Sequence, residues 1–182
     1  MPSQRLVRLL ALLFSLVALL APASAEAYER QWHAGGSFGY GMLVVNDETV
    51  HGLGGGLHLT YGLNDVFNAM VQVDFTGYPG GELVIGSAAG GIAYVIDILE
   101  WVPYVGLMVG GYQIGGFSDA GDAPGADCSS TRFGVSVPLG LDYQFTRSFA
   151  AGVQARYHLL LSGDGASSYL TAVARAEYIW GF

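Results

Sequence analysis

Lysine is absent from this chain, and all seven basic residues are arginine. Nucleic-acid binding is excluded at once, because neutralising a phosphate backbone takes clustered Lys and Arg. Cys128 is the single cysteine, so an internal disulfide framework is excluded as well; it is either an exposed free thiol or an intermolecular partner. No apolar stretch near 20 residues follows residue 25, which excludes helical membrane spans. Charged residues make up only 12% of the 182, against 52% hydrophobic and 13% aromatic, and that balance excludes a disordered chain. What is abundant is glycine, with 28 residues, and acid, with 15 Asp and Glu giving a formal net charge of -8.

Met1 to Ala25 read as a secretory signal peptide. Arg5 and Arg8 supply its positive start, Leu9 to Leu20 its apolar run, and Ala23-Ser24-Ala25 a small-x-small cleavage site. That run is too short to cross a hydrocarbon core of roughly 30 Å. The mature chain is then one domain, residues 26–182, starting at Glu26 and sent across the inner membrane. It retains Arg30, Arg132, Arg147, Arg156 and Arg175 against all fifteen acids.

The period of this domain is two. Phe133, Val135, Val137, Leu139, Leu141, Tyr143 and Phe145 share one face of a strand; Arg132, Gly134, Ser136, Pro138, Gly140, Asp142 and Gln144 share the other. The same alternation runs through 149–160 and 168–182. Eight strands are predicted, at 31–45, 51–61, 66–77, 83–96, 102–115, 131–145, 149–160 and 168–182.

A soluble lipocalin-like barrel turns its apolar face inward; a membrane barrel turns it outward. The aromatics decide for the membrane. With strands alternating up and down, Trp32, Tyr61, Phe67, Tyr94, Trp101, Tyr104, Tyr143, Phe145, Phe149, Tyr178, Trp180 and Phe182 fall at the lower ends. Tyr40, Phe75, Tyr78, Tyr112, Phe117, Phe133, Tyr157 and Tyr169 fall at the upper ends, and only Phe38 lies well inside a strand. The spacing from Trp32 to Tyr40, or from Tyr104 to Tyr112, climbs roughly 20 Å along a tilted strand, close to the apolar band of an outer-membrane barrel. Amphipathic rings favour both boundaries of such a band. The expected fold is an all-β, eight-stranded, antiparallel, up-and-down transmembrane β-barrel, its closure satisfying every backbone polar group. Its interior is just wide enough for side chains, so inward glycines such as Gly35, Gly39, Gly41, Gly52, Gly54 and Gly56 make room for larger polar residues.

The C-terminal Tyr178-Ile179-Trp180-Gly181-Phe182 resembles the terminal signal of bacterial outer-membrane barrels, a final Phe preceded by aromatics at alternate positions. Residues 140–157, Gly-Leu-Asp-Tyr-Gln-Phe-Thr-Arg-Ser-Phe-Ala-Ala-Gly-Val-Gln-Ala-Arg-Tyr, are similar to a strand–turn–strand unit of small OmpA/OmpX-like barrels. The resemblance covers the whole mature chain. It implies a Gram-negative outer membrane, lipopolysaccharide and membrane lipids as surroundings, and Tyr178, Trp180 and Phe182 as the assembly signal read by the barrel-assembly machinery. No soluble wall-binding domain follows residue 182, unlike full-length OmpA, which speaks against a tethering role.

Parity places Asp74, Arg132, Arg156 and His158 inward near the upper end, and Asp142, Arg175 and Glu177 inward lower down. Charges in such an interior must pair, so a packed lumen held by ion pairs is expected; a narrow ion pore is the alternative. His33, His51, His58 and His158 lack metal-ligand spacing, and no metal or cofactor is implied. His158, Ser162 and Asp164 form the one Ser/His/Asp group close in sequence, at the outer rim where lipid A acyl-modifying barrels keep their sites. Ser-Gly-Asp-Gly is more simply a turn, so no catalysis is expected; an acyl-modifying or lipid-binding enzyme remains the rival. The strands 83–96 and 102–115 are apolar on both faces, read either as an acyl-chain pocket inside the barrel or as a small-residue patch with a bulge or a shifted register. Asp47, Glu48, Glu82, Asp119, Asp122, Asp127 and Asp164 form an acidic rim on the outer loops, of which 116–130 is the longest. The role expected is that of a monomeric structural or surface-contact protein.

Overall fold

The structure, a computed structural model, describes residues 30–45, 48–79, 83–96, 98, 100–116, 130–162 and 165–181. The signal segment, Asp47, Glu82, Phe117, Cys128, Asp164, Phe182 and the acids at 119, 122 and 127 lie outside them. Eight strands are present: β1 (Trp32–Val45), β2 (Glu48–Gly62), β3 (Phe67–Tyr78), β4 (Leu83–Val95), β5 (Trp101–Gly116), β6 (Ser130–Thr146), β7 (Phe149–Ser162) and β8 (Gly165–Trp180). Each pairs antiparallel with the next, and β8 pairs with β1 to close the barrel. The strands follow the sequence alternation to within three residues at every end. The largest departures are β2 and β8, which begin three residues earlier than the pattern indicates, so only residues 46–47 and 163–164 connect β1 to β2 and β7 to β8.

The barrel is inverted relative to a soluble core. Phe38, Leu57, Val73, Phe75, Val109, Phe133 (76% exposed), Leu139 and Val153 all face outward. Gln72, Gln154, Asp142, Arg156, His158, Arg175 and Glu177 are buried inside. A sheet buried on its polar face and apolar on its outer face suits a hydrocarbon surround.

At the lower end the outward aromatics form a near-continuous belt. Trp32 and Tyr61 are cross-strand partners with ring centroids 4.6 Å apart; Phe67 and Tyr94 sit at 5.6 Å; Trp101 and Tyr143 at 4.9 Å; Phe145 and Phe149 at 6.0 Å; Tyr178 and Trp180 at 6.1 Å. The lower turns are locally fixed. In residues 63–66 the Asn64 side-chain oxygen accepts from the amides of Val66 (3.0 Å) and Phe67 (2.8 Å), the Asx turn that a short polar side chain favours. A register shift between Gln144 and Thr146 tightens the β6–β7 turn.

Four tyrosines correct the sequence reading. Tyr78, Tyr104, Tyr112 and Tyr169 belong to neither aromatic belt; they point into the barrel and are buried. In β5 both faces are apolar, so alternation did not reveal that Trp101 and Tyr104, three residues apart, must face opposite sides. The registers of β3–β4 and β4–β5 are unbroken, so neither a bulge nor a slip accounts for the two-faced apolar strands. Their inward residues instead fill the lumen. Met70, Ala89, Ala93, Val95, Val102, Tyr104 and Met108 form one apolar layer low in the barrel. Leu43, Tyr78, Ile85, Tyr112, Leu160 and Tyr169 form a second at the upper end.

Candidate functional site in the barrel lumen

Between and beside these layers runs a polar network built from inward positions of all eight strands. Its lower group centres on Glu177 of β8. His33 Nδ1–H donates to Glu177 Oε1 at 3.0 Å and His58 Nε2–H to Oε2 at 3.2 Å, while the Arg175 guanidinium pairs with the same carboxylate. Arg175 also faces Asp142 at 3.6 Å, donates to the Tyr104 hydroxyl and lies 5.2 Å from that ring's centroid.

The upper group centres on Arg156 of β7. Arg156 pairs with Asp74 and donates to Ser87 Oγ at 3.4 Å and to His158 Nε2 at 3.1 Å. Because that ring nitrogen accepts, neutral His158 carries its proton on Nδ1, which faces the Tyr112 hydroxyl at 3.3 Å. The imidazole is stacked on Tyr169, centroids 4.0 Å apart and planes within 5°.

Two glutamines join the groups. Gln154 donates to the Tyr104 hydroxyl (3.0 Å). Gln72 donates to Gln154 (3.3 Å) and to Asp74 (2.9 Å). One continuous chain of hydrogen bonds and ion pairs therefore runs from Glu177 to Tyr112 along the barrel. Burial of these charges is tolerable because each opposes a partner; an unpaired ion there would cost several kcal/mol.

Glycine makes the space. His58, Asp74, Tyr104 and Asp142 are the direct cross-strand partners of Gly35, Gly56, Gly140 and Gly152. A Cβ added at Gly35 would lie 2.7 Å from the His58 ring, and one at Gly140 would collide with the Tyr104 ring. The large polar residues occupy the volume that their opposite numbers leave.

Asp74, Asp142, Arg156, Arg175 and Glu177 thus meet inside the barrel. Arg132 stands apart: it shares their inward parity but is only half-buried, and it makes no ion pair with a described residue. His33, His58, Gln72, Gln154 and Tyr104 belong to the network without having been singled out in the sequence. Inward parity was readable for His33, His58, Gln72 and Gln154 but not for Tyr104, and neutral side chains carry no obligation to pair. Of the Ser/His/Asp group, His158 has both ring nitrogens engaged, Ser162 is the last residue of β7, and Asp164 lies outside the described residues. Among the described residues no cluster of His, Cys, Asp or Glu is arranged to hold a metal ion. Tyr178 and Trp180 face outward in the lower belt.

The lumen has little free space. A cavity of about 20 Å³ lies beside Thr60, Asn68, Asp142 and Arg175, and another of about 10 Å³ beside Asp74, Gln154 and His158. Each has room for about one water molecule, and neither can take an acyl chain.

Several solved barrels share this architecture. The crystal structure of neisserial surface protein A superposes with a TM-score of 0.69 at 16% identity, covering 81% of this chain and 96% of that one. The N-terminal β-barrel domain of Pseudomonas aeruginosa OprF gives 0.63 at 14% identity, covering 84% and 98%. Ail, the attachment invasion locus protein of Yersinia pestis, solved in complex with the heparin analogue sucrose octasulfate, gives 0.52 at 14%, covering 84% and 99%. Identities this low show a common fold. No curated protein sequence matches the chain. The family model described as the outer membrane protein beta-barrel domain matches residues 9–175, and the chain belongs to that family.

Proposed function

We propose that the protein is a non-enzymatic, non-conducting barrel of the Gram-negative outer membrane with a structural or surface-contact role. It is exported by its N-terminal signal peptide, inserted by the barrel-assembly machinery through Tyr178, Trp180 and Phe182, and works as a monomer among lipopolysaccharide and other membrane lipids. The observation that carries this reading is the filled lumen. Its buried charges are paired with one another, and apolar clusters fill the space beside them and at the upper end. A pore needs a continuous aqueous path. An acyl-modifying enzyme needs a base free to take a proton in reach of a nucleophile, whereas the His158 nitrogens face Arg156 and Tyr112. The contact surface on the outside is the long 116–130 connection. Its acids, Asp119, Asp122 and Asp127, repel sulfates and phosphates, so a polyanion such as the one bound to Ail is a poor match for this chain.

Lipid A profiling by mass spectrometry tests the absence of catalysis. Cells with the protein, without it, and with the His158→Ala variant are expected to give identical acyl patterns. Any acyl chain gained or lost with the wild-type protein would overturn this reading.

A further inference from the structure

Four polar side chains low in the lumen converge on one small cavity. Thr60 of β2, Asn68 of β3, Asp142 of β6 and Arg175 of β8 all line the space of about 20 Å³. Each is more than nine-tenths buried. One polar atom of each has no hydrogen-bond partner among the described residues: Thr60 Oγ1, Asn68 Oδ1, Asp142 Oδ1 and Arg175 Nε. The other guanidinium nitrogens are engaged, Nη1 with the Tyr104 hydroxyl and Nη2 with Glu177. Arg175 Nε and Asp142 Oδ1 stand 3.6 Å apart, beyond hydrogen-bond reach. Leaving such atoms unsatisfied in a buried site is costly, most of all for the two charged groups.

The chemistry of the four atoms selects what can sit among them. Arg175 Nε–H can only donate. Asn68 Oδ1 and ionised Asp142 Oδ1 can only accept, and the Thr60 hydroxyl does either. A metal cation would suit the three oxygens but would be repelled by the guanidinium. An anion would suit the guanidinium but would be repelled by Asp142. A neutral molecule with two protons and two lone pairs satisfies all four. The volume admits about one water molecule, and the apolar wall of Met70, Ala93, Val95 and Val102 leaves no room for anything larger.

We propose that one water molecule is built into the lower lumen as the bridge of the Asp142–Arg175 ion pair. It accepts from Arg175 Nε–H and from the Thr60 hydroxyl, and it donates to Asp142 Oδ1 and Asn68 Oδ1. The pair is therefore solvent-shared rather than direct. Thr60 and Asn68, uncharged residues on the far strands, are the positioning residues that hold its bridge. A water with four fixed partners is a structural part of the packed lumen and not a step in an aqueous path.

The test is solution NMR of the refolded full mature chain in detergent micelles. It reads magnetisation transfer from water to the methyl groups of Met70, Ala93 and Val102, which carry no exchangeable proton. Wild type should show these transfer peaks, with the sign of a long-lived water, in sodium chloride and in choline chloride alike. Asn68→Leu keeps the approximate size and the Thr60 hydroxyl but removes an acceptor, and it should remove the peaks. Thr60→Val should weaken or remove them, and Thr76→Val, in the upper half, should leave them unchanged. Absence of the peaks from wild type overturns the proposal, whatever the variants do. Peaks that persist unchanged in Asn68→Leu overturn it too, since they would come from the hydroxyl. Peaks present in choline chloride but lost in sodium chloride would place a cation there and overturn it as well.

Discussion

Inside the barrel a glycine and the large residue facing it act as one unit. Gly140 exists for Tyr104, whose hydroxyl links Arg175 to Gln154, whereas Gly86 faces empty space. Gly140→Val is therefore expected to destabilise the barrel by about 1–3 kcal/mol through overpacking, and Gly86→Val to leave stability within about 0.5 kcal/mol as a surface change. Urea unfolding midpoints in detergent distinguish the two, and equal midpoints would contradict the packing argument. The Asp74–Arg156 pair behaves similarly as a unit. Either single change, Asp74→Asn or Arg156→Met, leaves one buried group without its partner and should cost about 3–5 kcal/mol, while the double change should cost clearly less than the sum. A strictly additive double-mutant cycle would show that the two do not interact. Charge makes such positions legible in a sequence, since an ionised side chain has no place in hydrocarbon. Gln72, Gln154 and Tyr104, which connect the two groups, carry no such mark. Arg132 shows the limit of parity from the other side: it turns inward yet lies too near the upper rim to be enclosed.

Strand position followed from alternation where one face was polar, as in β6, β7 and β8. It failed to give side-chain direction in β4 and β5, where both faces are apolar. Their inward face lines the apolar layers at Met108 and Ile85 rather than water, so the polar–apolar contrast that betrays a half-buried strand is missing there. Tyr104 and Tyr112 sit eight residues apart like the belt pair Trp32 and Tyr40, and spacing along a strand is blind to which side a ring faces. The short connections 46–47 and 163–164 were equally hidden, because Glu48, Thr49, Gly165 and Ala166 lie beyond the alternating runs and nonetheless pair in the ladder. At the last strand, Tyr178 and Trp180 belong to the lower belt and stack on one another. Replacing both with Ala should lower the amount of protein recovered in the outer-membrane fraction severalfold, through weaker interfacial anchoring and a damaged terminal signal. Full recovery of the double variant would remove these two residues from the assembly signal.

The composition of the whole molecule now has a physical layout. Apolar side chains dominate the outward strand positions; buried charges share the interior with glycines and two apolar clusters; and Arg30 and Arg147 are exposed at the lower end. The fold was legible because a period of two, aromatic belts and a lysine-free, glycine-rich chain all agree on one architecture. The filling of the lumen was not, because it depends on which neutral side chains meet across strands far apart in sequence, such as Gln72 with Gln154 and His33 with Glu177. The central claim is that this filling seals the barrel. Single-channel recording in planar lipid bilayers tests it most directly, using the mature chain refolded in detergent and shown to be inserted. The sealed lumen predicts a flat baseline at up to about 100 mV, a field that adds only ~2.3 kcal/mol per elementary charge against buried, paired ions. Discrete, reproducible conductance steps from the inserted wild-type barrel would contradict it.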